Sequence, residues 1–141
     1  LILYGDVPNI KASTLRPIID DHVINGRDLT LITAEIDNPT GYGRIIRDKN
    51  DKLLKIVEEK DCNDNEKKIK EWNPGIYIFK IPEVFEILNN IKANNASKEY
   101  YLTDAIGLAQ QSNMKIKAIK IANSDEVLGI NTAEQLEELE S

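Results

Sequence analysis

The amino-acid sequence predicts an α/β domain organised around a mixed sheet. Segments with strand character and segments with helical periodicity interleave along the chain, the pattern of a sheet covered by helices. The run RIIRDKNDKLLKIVEE reads as two strands around a polar turn, a hairpin that places at least one antiparallel pair in the sheet. No internal repeat, low-complexity tract or Pro/Gly/Ser-rich linker interrupts the 141 residues. One domain is therefore expected over residues 1–141, with no second domain, and a globule of this size buries roughly two-thirds of the surface its unfolded chain exposes.

The elements follow in order. LILYGDVP opens with four residues expected as a buried strand, ended before Pro8, which cannot donate to a ladder. STLRPIIDDHVING supplies Ser13 or Thr14 as an N-cap, apolar residues on one helical face and Gly26 as a stop. LTLITAEI is rich in strand formers, and NPTGYG is a breaker-rich loop leading into the hairpin. After IVEEKD a short charged helix is expected, then GIYIFKI as a third clear strand. Pro82 suits the first turn of a helix through Ile91, with Val84, Leu88 and Ile91 on one stripe. A helix from near Leu102 to Gln111, the strand KIKAIKI and a final helix over TAEQLEELE complete the chain, the last with a Thr132 to Gln135 capping box.

Composition excludes several classes of function. With 41% hydrophobic and 30% charged residues, the chain has no apolar run approaching the ~18 residues that cross a bilayer. No basic region precedes its short apolar start and no small-residue cleavage site follows it, so a cytoplasmic protein is expected. A net charge of -6 with scattered lysines argues against a nucleic-acid groove, although a nucleotide can still be held by backbone and metal. The single cysteine, Cys62, rules out an internal disulfide and a thiolate-cluster metal site, and no role is assigned to it. His22, beside Asp20 and Asp21, is expected at the surface, and no Ser-His-Asp or Cys-His constellation can be assembled.

Five stretches can carry chemistry. Asp6 lies where the first strand gives way to a loop, the usual ligand position in α/β sheets; it is either an Mg²⁺ ligand or a turn aspartate bonding its own backbone. Asn131, in GINTAEQL, offers a neutral oxygen or simple loop chemistry ahead of Thr132. Pro39, Gly41 and Gly43 fall within five positions, as a close backbone approach to a ligand or an ordinary connection would require. Glu58 and Glu59 end a strand as hydroxyl acceptors or solvated charge. Asn73, held extended by Pro74, has an amide that can donate and accept, as a sugar hydroxyl requires, or sits in a turn.

Taken in order, LYGDVP, NPTGYGRI, IVEEKD, N-x-GIYIF, NNASKEYYLTDAI and GINTAEQL closely resemble the uridyltransferase domain of the bifunctional bacterial N-acetylglucosamine-1-phosphate uridyltransferase/glucosamine-1-phosphate acetyltransferase. The resemblance runs through all 141 residues. It implies a Rossmann-like αβα nucleotide-diphospho-sugar transferase fold, incomplete at the N-terminus, in which this chain is the C-terminal part of the uridyltransferase domain. By the same resemblance Tyr4, Gly5 and Asp6 touch the nucleotide, and Asp6 and Asn131 bind Mg²⁺. Gly43, Glu58, Asn73 and Asn131 then bind the amino sugar, Thr103 is a further sugar-site residue close to that pocket, and Glu59 faces solvent.

The implied reaction joins UTP and N-acetylglucosamine-1-phosphate into UDP-N-acetylglucosamine and pyrophosphate, feeding peptidoglycan and lipopolysaccharide precursors. This chain departs from the family pattern at Trp72 and Pro74, where a threonine usually follows the asparagine, which leaves another sugar-1-phosphate as the alternative substrate. A non-catalytic module that associates with a partner chain is a reading of a different class. The glycine-rich loop with its arginine and lysine that cradles the triphosphate in the family has no counterpart here, so roughly a hundred residues of the domain are expected ahead of Leu1. The implied partners are accordingly a complementing N-terminal segment or a homo-oligomer, and the 141 residues alone are expected to be inactive.

Overall fold

The hydrophobic stretch Leu29–Ala34 forms the heart of the molecule. In the computed structural model, which describes residues 1–129 and 133–140, these six residues are all buried within strand β2 (Leu29–Glu35). A strand covered on both faces carries no charge along its buried run, as here, where Thr30 and Thr33 are its polar members. On one side β2 pairs parallel with β6 (Ile116–Lys120), and on the other it pairs antiparallel with β5 (Glu71–Phe79). The hairpin β3 (Arg44–Arg47) and β4 (Leu53–Val57) joins the far side of β5 through the pair Arg44–Trp72, giving the order β4-β3-β5-β2-β6. The mixed sheet and its hairpin are as the sequence predicts.

Helices cover both faces. Leu29, Leu31, Ile45, Leu53, Ile56 and Tyr77 form one core with Ile87 of α3 (Val84–Asn89) and Ala105, Ile106 and Ala109 of α4 (Asp104–Gln111). Ile32, Ala34, Trp72, Ile76 and Ile78 face the other way, against Ile18 of α1 (Ala12–Ile24) and Val127. The short charged helix is α2 (Asp64–Lys67), held by a complete capping box between Asn63 and Glu66. A last helix, α5, spans Ala133–Glu140. The Thr132 capping box involves a residue outside those described.

Several expectations are corrected. LILY is not a buried strand: β1 is only Ile2–Leu3, paired antiparallel with Tyr77 and Ile76 of β5, and Leu1 to Tyr4 are all exposed. Its alternation carries no polar residue, so pattern alone could not tell a covered strand from an open one. Helix α1 is not capped by Ser13 or Thr14. Lys11 is the cap residue and its own side chain makes no cap bond; Glu126 reaches across from a distant turn, accepting from Lys11 N at 3.3 Å and Thr14 Oγ1 at 2.7 Å. Pro82 precedes rather than enters α3, which begins at Val84. His22 is buried, with Nδ1 2.7 Å from Thr30 Oγ1, because its turn of α1 packs directly on β2.

Strand β5 also starts earlier than GIYIFKI and takes in the NPG segment. Ile32 pairs with Ile76 but Ala34 pairs with Trp72, so β5 carries extra residues opposite Thr33. Pro74 can occupy a strand at such a bulge because no ladder bond is asked of it. The bulge also separates two neighbours on the same edge of β5: β1 lies along Ile76 and Tyr77, β3 reaches only Trp72, and a cleft opens beside the gap between them.

Candidate active site

The cleft holds about 370 Å³ and lies beyond the C-terminal ends of β1 and β2, where ligands bind in open α/β sheets. Its walls are Tyr4 and Asp6 after β1, the loop Thr40–Gly43, Glu58 after β4, and Trp72, Asn73 and Pro74 in the bulge of β5. Thus Tyr4, Asp6, Gly43, Glu58 and Asn73, five of the residues singled out in the sequence, meet in one place although they are spread over seventy positions of chain.

Each wall has a local cause. The loop is tied by an Asn38 turn that accepts from Thr40 Oγ1 at 2.6 Å and by Tyr42 N donating to Pro39 O. Tyr42 then stacks at a tilt on Trp72, ring centroids 4.2 Å apart. Gly43 is packed so closely that a Cβ there would lie 3.0 Å from Ile56 Cγ2 and 3.3 Å from Glu58 Oε1. A side chain would fill the space in front of the carboxylate. The Gly43 carbonyl accepts from Asn73 N at 2.9 Å, which locks the loop to β5.

Asp6 is exposed at the cleft edge, two residues into the turn closed by Val7 N donating to Tyr4 O. Among the described residues no hydrogen bond reaches its carboxylate, and Asp6 lines the cleft. Burial raises the Glu58 carboxyl above the usual range; the adjacent Thr103 hydroxyl pulls it partly back, and Asp104 and Asp61 push it further up. Thr103 Oγ1 is itself buried and makes no hydrogen bond of regular geometry. Thr103 therefore stands behind Glu58, in an adjoining depression shared with Asp61 and Asp104, rather than in the main cleft. Gly5 is an exposed turn residue outside the lining. Asn131 lies outside the described residues.

Glu59 corrects the expectation of a solvated charge. Its Oε2 lies 2.7 Å from Nη2 of Arg44, whose side chain is 2% exposed against 27% for Glu59. The contact is an ion pair rather than a regular hydrogen bond, and it leaves Arg44 Nε without a partner. Arg44 also donates from Nη1 to Tyr42 O. One guanidinium thus clamps together the segments that carry Gly43 and Glu58. A second buried cluster braces the start of β5: Glu71 accepts from Arg47 Nη2 at 2.7 Å and Thr33 Oγ1 at 2.6 Å.

Sequence reading missed Arg44, Tyr42, Gly75 and Tyr77. Arg44 follows the GYG loop directly, and a charged residue at the entry to the strand RIIR is the signal that would have marked it. Tyr77 carries no such signal, because its hydroxyl matters only once the bulge brings it to Asn73.

The sequence matches the Nucleotidyl transferase family over residues 1–135. The chain belongs to that family. Among curated relatives, the Bifunctional protein GlmU of Streptococcus sanguinis strain SK36 is 45% identical over 141 residues, covering 100% of this chain and 31% of the relative. GlmU of Alkaliphilus metalliredigens strain QYMF is 46% identical over 140 residues, with 99% and 31% covered. The chain thus spans about a third of the length of these relatives, and the motif resemblance stands. Among solved structures, a Bacillus anthracis nucleotidyltransferase, described as a glucose-1-phosphate thymidylyltransferase and crystallised with sucrose, shares the fold. Its TM-score is 0.59 at 18% identity, covering 77% of this chain and 41% of that one. Among the described residues no helix is long and apolar enough to cross a membrane.

Proposed function

We propose that this chain is the C-terminal part of a cytoplasmic uridyltransferase domain that transfers a uridylyl group from UTP to N-acetylglucosamine-1-phosphate, in the supply of cell-envelope precursors. The carrying observation is the convergence of Asp6, Gly43, Glu58 and Asn73 on one cleft, in a chain about 45% identical to GlmU proteins.

In the reaction a phosphate oxygen of the sugar phosphate attacks the α-phosphorus of UTP. The new P–O bond forms as the bond to the β-phosphate oxygen breaks, and pyrophosphate leaves with the electron pair. A phosphate monoester with a second pKa near ~6 is already mostly dianionic at neutral pH, so no side chain has to remove a proton. The protein's task is alignment and charge neutralisation.

Asn73 and Glu58 suit the sugar: an amide that donates and accepts, and a carboxylate that accepts from hydroxyls. Gly43 lets its backbone approach them. The described lining holds two carboxylates and no lysine or arginine, so phosphates need cationic help there. Asp6, a single exposed carboxylate, fits Mg²⁺, which takes one or two protein oxygens and fills its shell with water and phosphate; Asn131 is the second proposed ligand. When bound, Mg²⁺ neutralises the phosphates and polarises the reacting phosphorus. Tyr4 and Gly5 are assigned to the nucleotide side, and Thr103 to the sugar side through Glu58. The 141 residues alone are not expected to turn over substrate; the reaction belongs to the full protein.

Trp72 and Pro74 both line the cleft, which supports glucose-1-phosphate as the competing substrate. The assignment is tested in the full-length protein with Glu58→Ala and Asp6→Asn. Glu58→Ala should raise KM for the sugar phosphate about 2- to 10-fold with KM for UTP unchanged. Asp6→Asn should lower kcat about 10²-fold and shift the Mg²⁺ requirement upward. A main effect of Glu58→Ala on UTP, or an Asp6→Asn enzyme with normal Mg²⁺ dependence, would contradict it.

A further inference from the structure

Tyr77 is fully buried in the apolar core beneath α4, its ring stacked on Phe79 at 5.7 Å between centroids. A phenylalanine would meet the packing need. A phenol hydroxyl in such a place costs stability unless it is bonded, and among the described residues its hydrogen-bond partner is Asn73 of the cleft.

Four residues apart on a regular strand, Asn73 and Tyr77 would be separated by about 13 Å. The bulge at Pro74 and Gly75, with Gly75 at a φ of +85°, shortens that path. Asn73 Nδ2 comes to 3.0 Å from Tyr77 Oη, and Gly75 N to 3.0 Å from Asn73 Oδ1. A backbone N–H can only donate, so the atom facing Gly75 is the amide oxygen and the orientation of the amide is fixed by chemistry. Nδ2 must then donate to Tyr77 Oη. Donors therefore point one way along the chain: Gly75 to Asn73, then Asn73 to Tyr77. Asn73 keeps one side-chain N–H and one lone pair beyond these bonds, and the residue lines the cleft.

The geometry points to Tyr77 as a positioning residue: its hydroxyl holds the Asn73 amide in the orientation that meets a donor-and-acceptor group of the sugar, and it does so from outside the cleft. This rests on the reading above that Asn73 faces the sugar phosphate. With the hydroxyl deleted, the amide is held by Gly75 alone and can pivot, so ground-state recognition of the sugar weakens while packing is kept.

The test uses the full-length protein as wild type, Tyr77→Phe, Asn73→Ala and the double variant, with UTP and N-acetylglucosamine-1-phosphate. Tyr77→Phe should raise the sugar-phosphate KM about 3- to 10-fold, with a smaller change for UTP, and should add little when Asn73 is already alanine. An unchanged sugar-phosphate KM, full additivity, or equal loss in every parameter with a lowered Tm would overturn the proposal. NMR of the Asn73 side-chain amide separates this from the functional reading. Should the wild type not use these substrates, that reading fails. A changed Asn73 amide resonance or faster amide exchange in Tyr77→Phe would still support the positioning role, whereas identical amide signals would overturn it.

Discussion

Gly75→Ala tests how the cleft floor is built. An alanine Cβ at this position would lie 2.0 Å from Tyr4 Cδ2 and 2.3 Å from both Cε2 and Cγ, so the Tyr4 ring must withdraw by about 1.5 Å to regain an ordinary carbon–carbon distance. The backbone adds its own cost, because φ is +85° and left-handed conformations disfavour a side chain by about 1–2 kcal/mol. Overpacking adds about 1–3 kcal/mol, for a total of about 2–5 kcal/mol. Urea unfolding of the full-length protein should show that loss in the wild-type background and only the backbone share, about 1–2 kcal/mol, in a Tyr4→Ala background. Because β1 is short and exposed, Tyr4 can also escape by peeling from β5. Hydrogen exchange at Tyr4 N, which donates to Gly75 O at 3.2 Å, should then accelerate while the Ile78 amide of β5 stays protected. Equal costs in the two backgrounds together with unchanged Tyr4 exchange would refute the claim that Gly75 exists to seat the Tyr4 ring.

Further outcomes follow from the buried charges. Glu59→Gln strands the Arg44 guanidinium, which is 2% exposed, and should cost up to about 3–5 kcal/mol of stability, with Arg44→Met plus Glu59→Gln costing less than the single change; denaturant unfolding reads both. Burial lowers the pKa of His22, so its neutral form is favoured in the fold. Its contribution is fully present above the unfolded pKa of about 6.5 and is lost as pH falls from there through the lower folded value. Unfolding free energy should therefore decline from pH 7.5 to 5.5, a slope that His22→Gln should flatten.

The class of fold was legible because its evidence is local: Leu29–Ala34 is a buried strand in any context, and the polar turn between Ile46 and Leu53 makes a hairpin by chain connectivity. The site was legible only as separate pieces, since Asp6, Gly43, Glu58 and Asn73 each have an ordinary turn or surface reading until the bulge in β5 and the gap beside it assemble them. What escaped depends on contacts distant in sequence. Glu126 caps α1 from more than a hundred residues away, Glu59 finds Arg44 across the hairpin, and His22 is buried because β2 offers Thr30. The openness of β1 depends on what lies beside it, which no periodicity encodes.

The most direct test of the functional claim is product formation by the full-length protein with Mg²⁺ and UTP, presented separately with N-acetylglucosamine-1-phosphate and glucose-1-phosphate. Nucleotide sugar and pyrophosphate are resolved by anion-exchange chromatography. The account predicts UDP-N-acetylglucosamine and pyrophosphate in equal amounts, abolished by chelation of Mg²⁺, with turnover of the N-acetylated substrate well above that of glucose-1-phosphate. Equal or greater turnover of glucose-1-phosphate, or no UTP-dependent product from either, would contradict it.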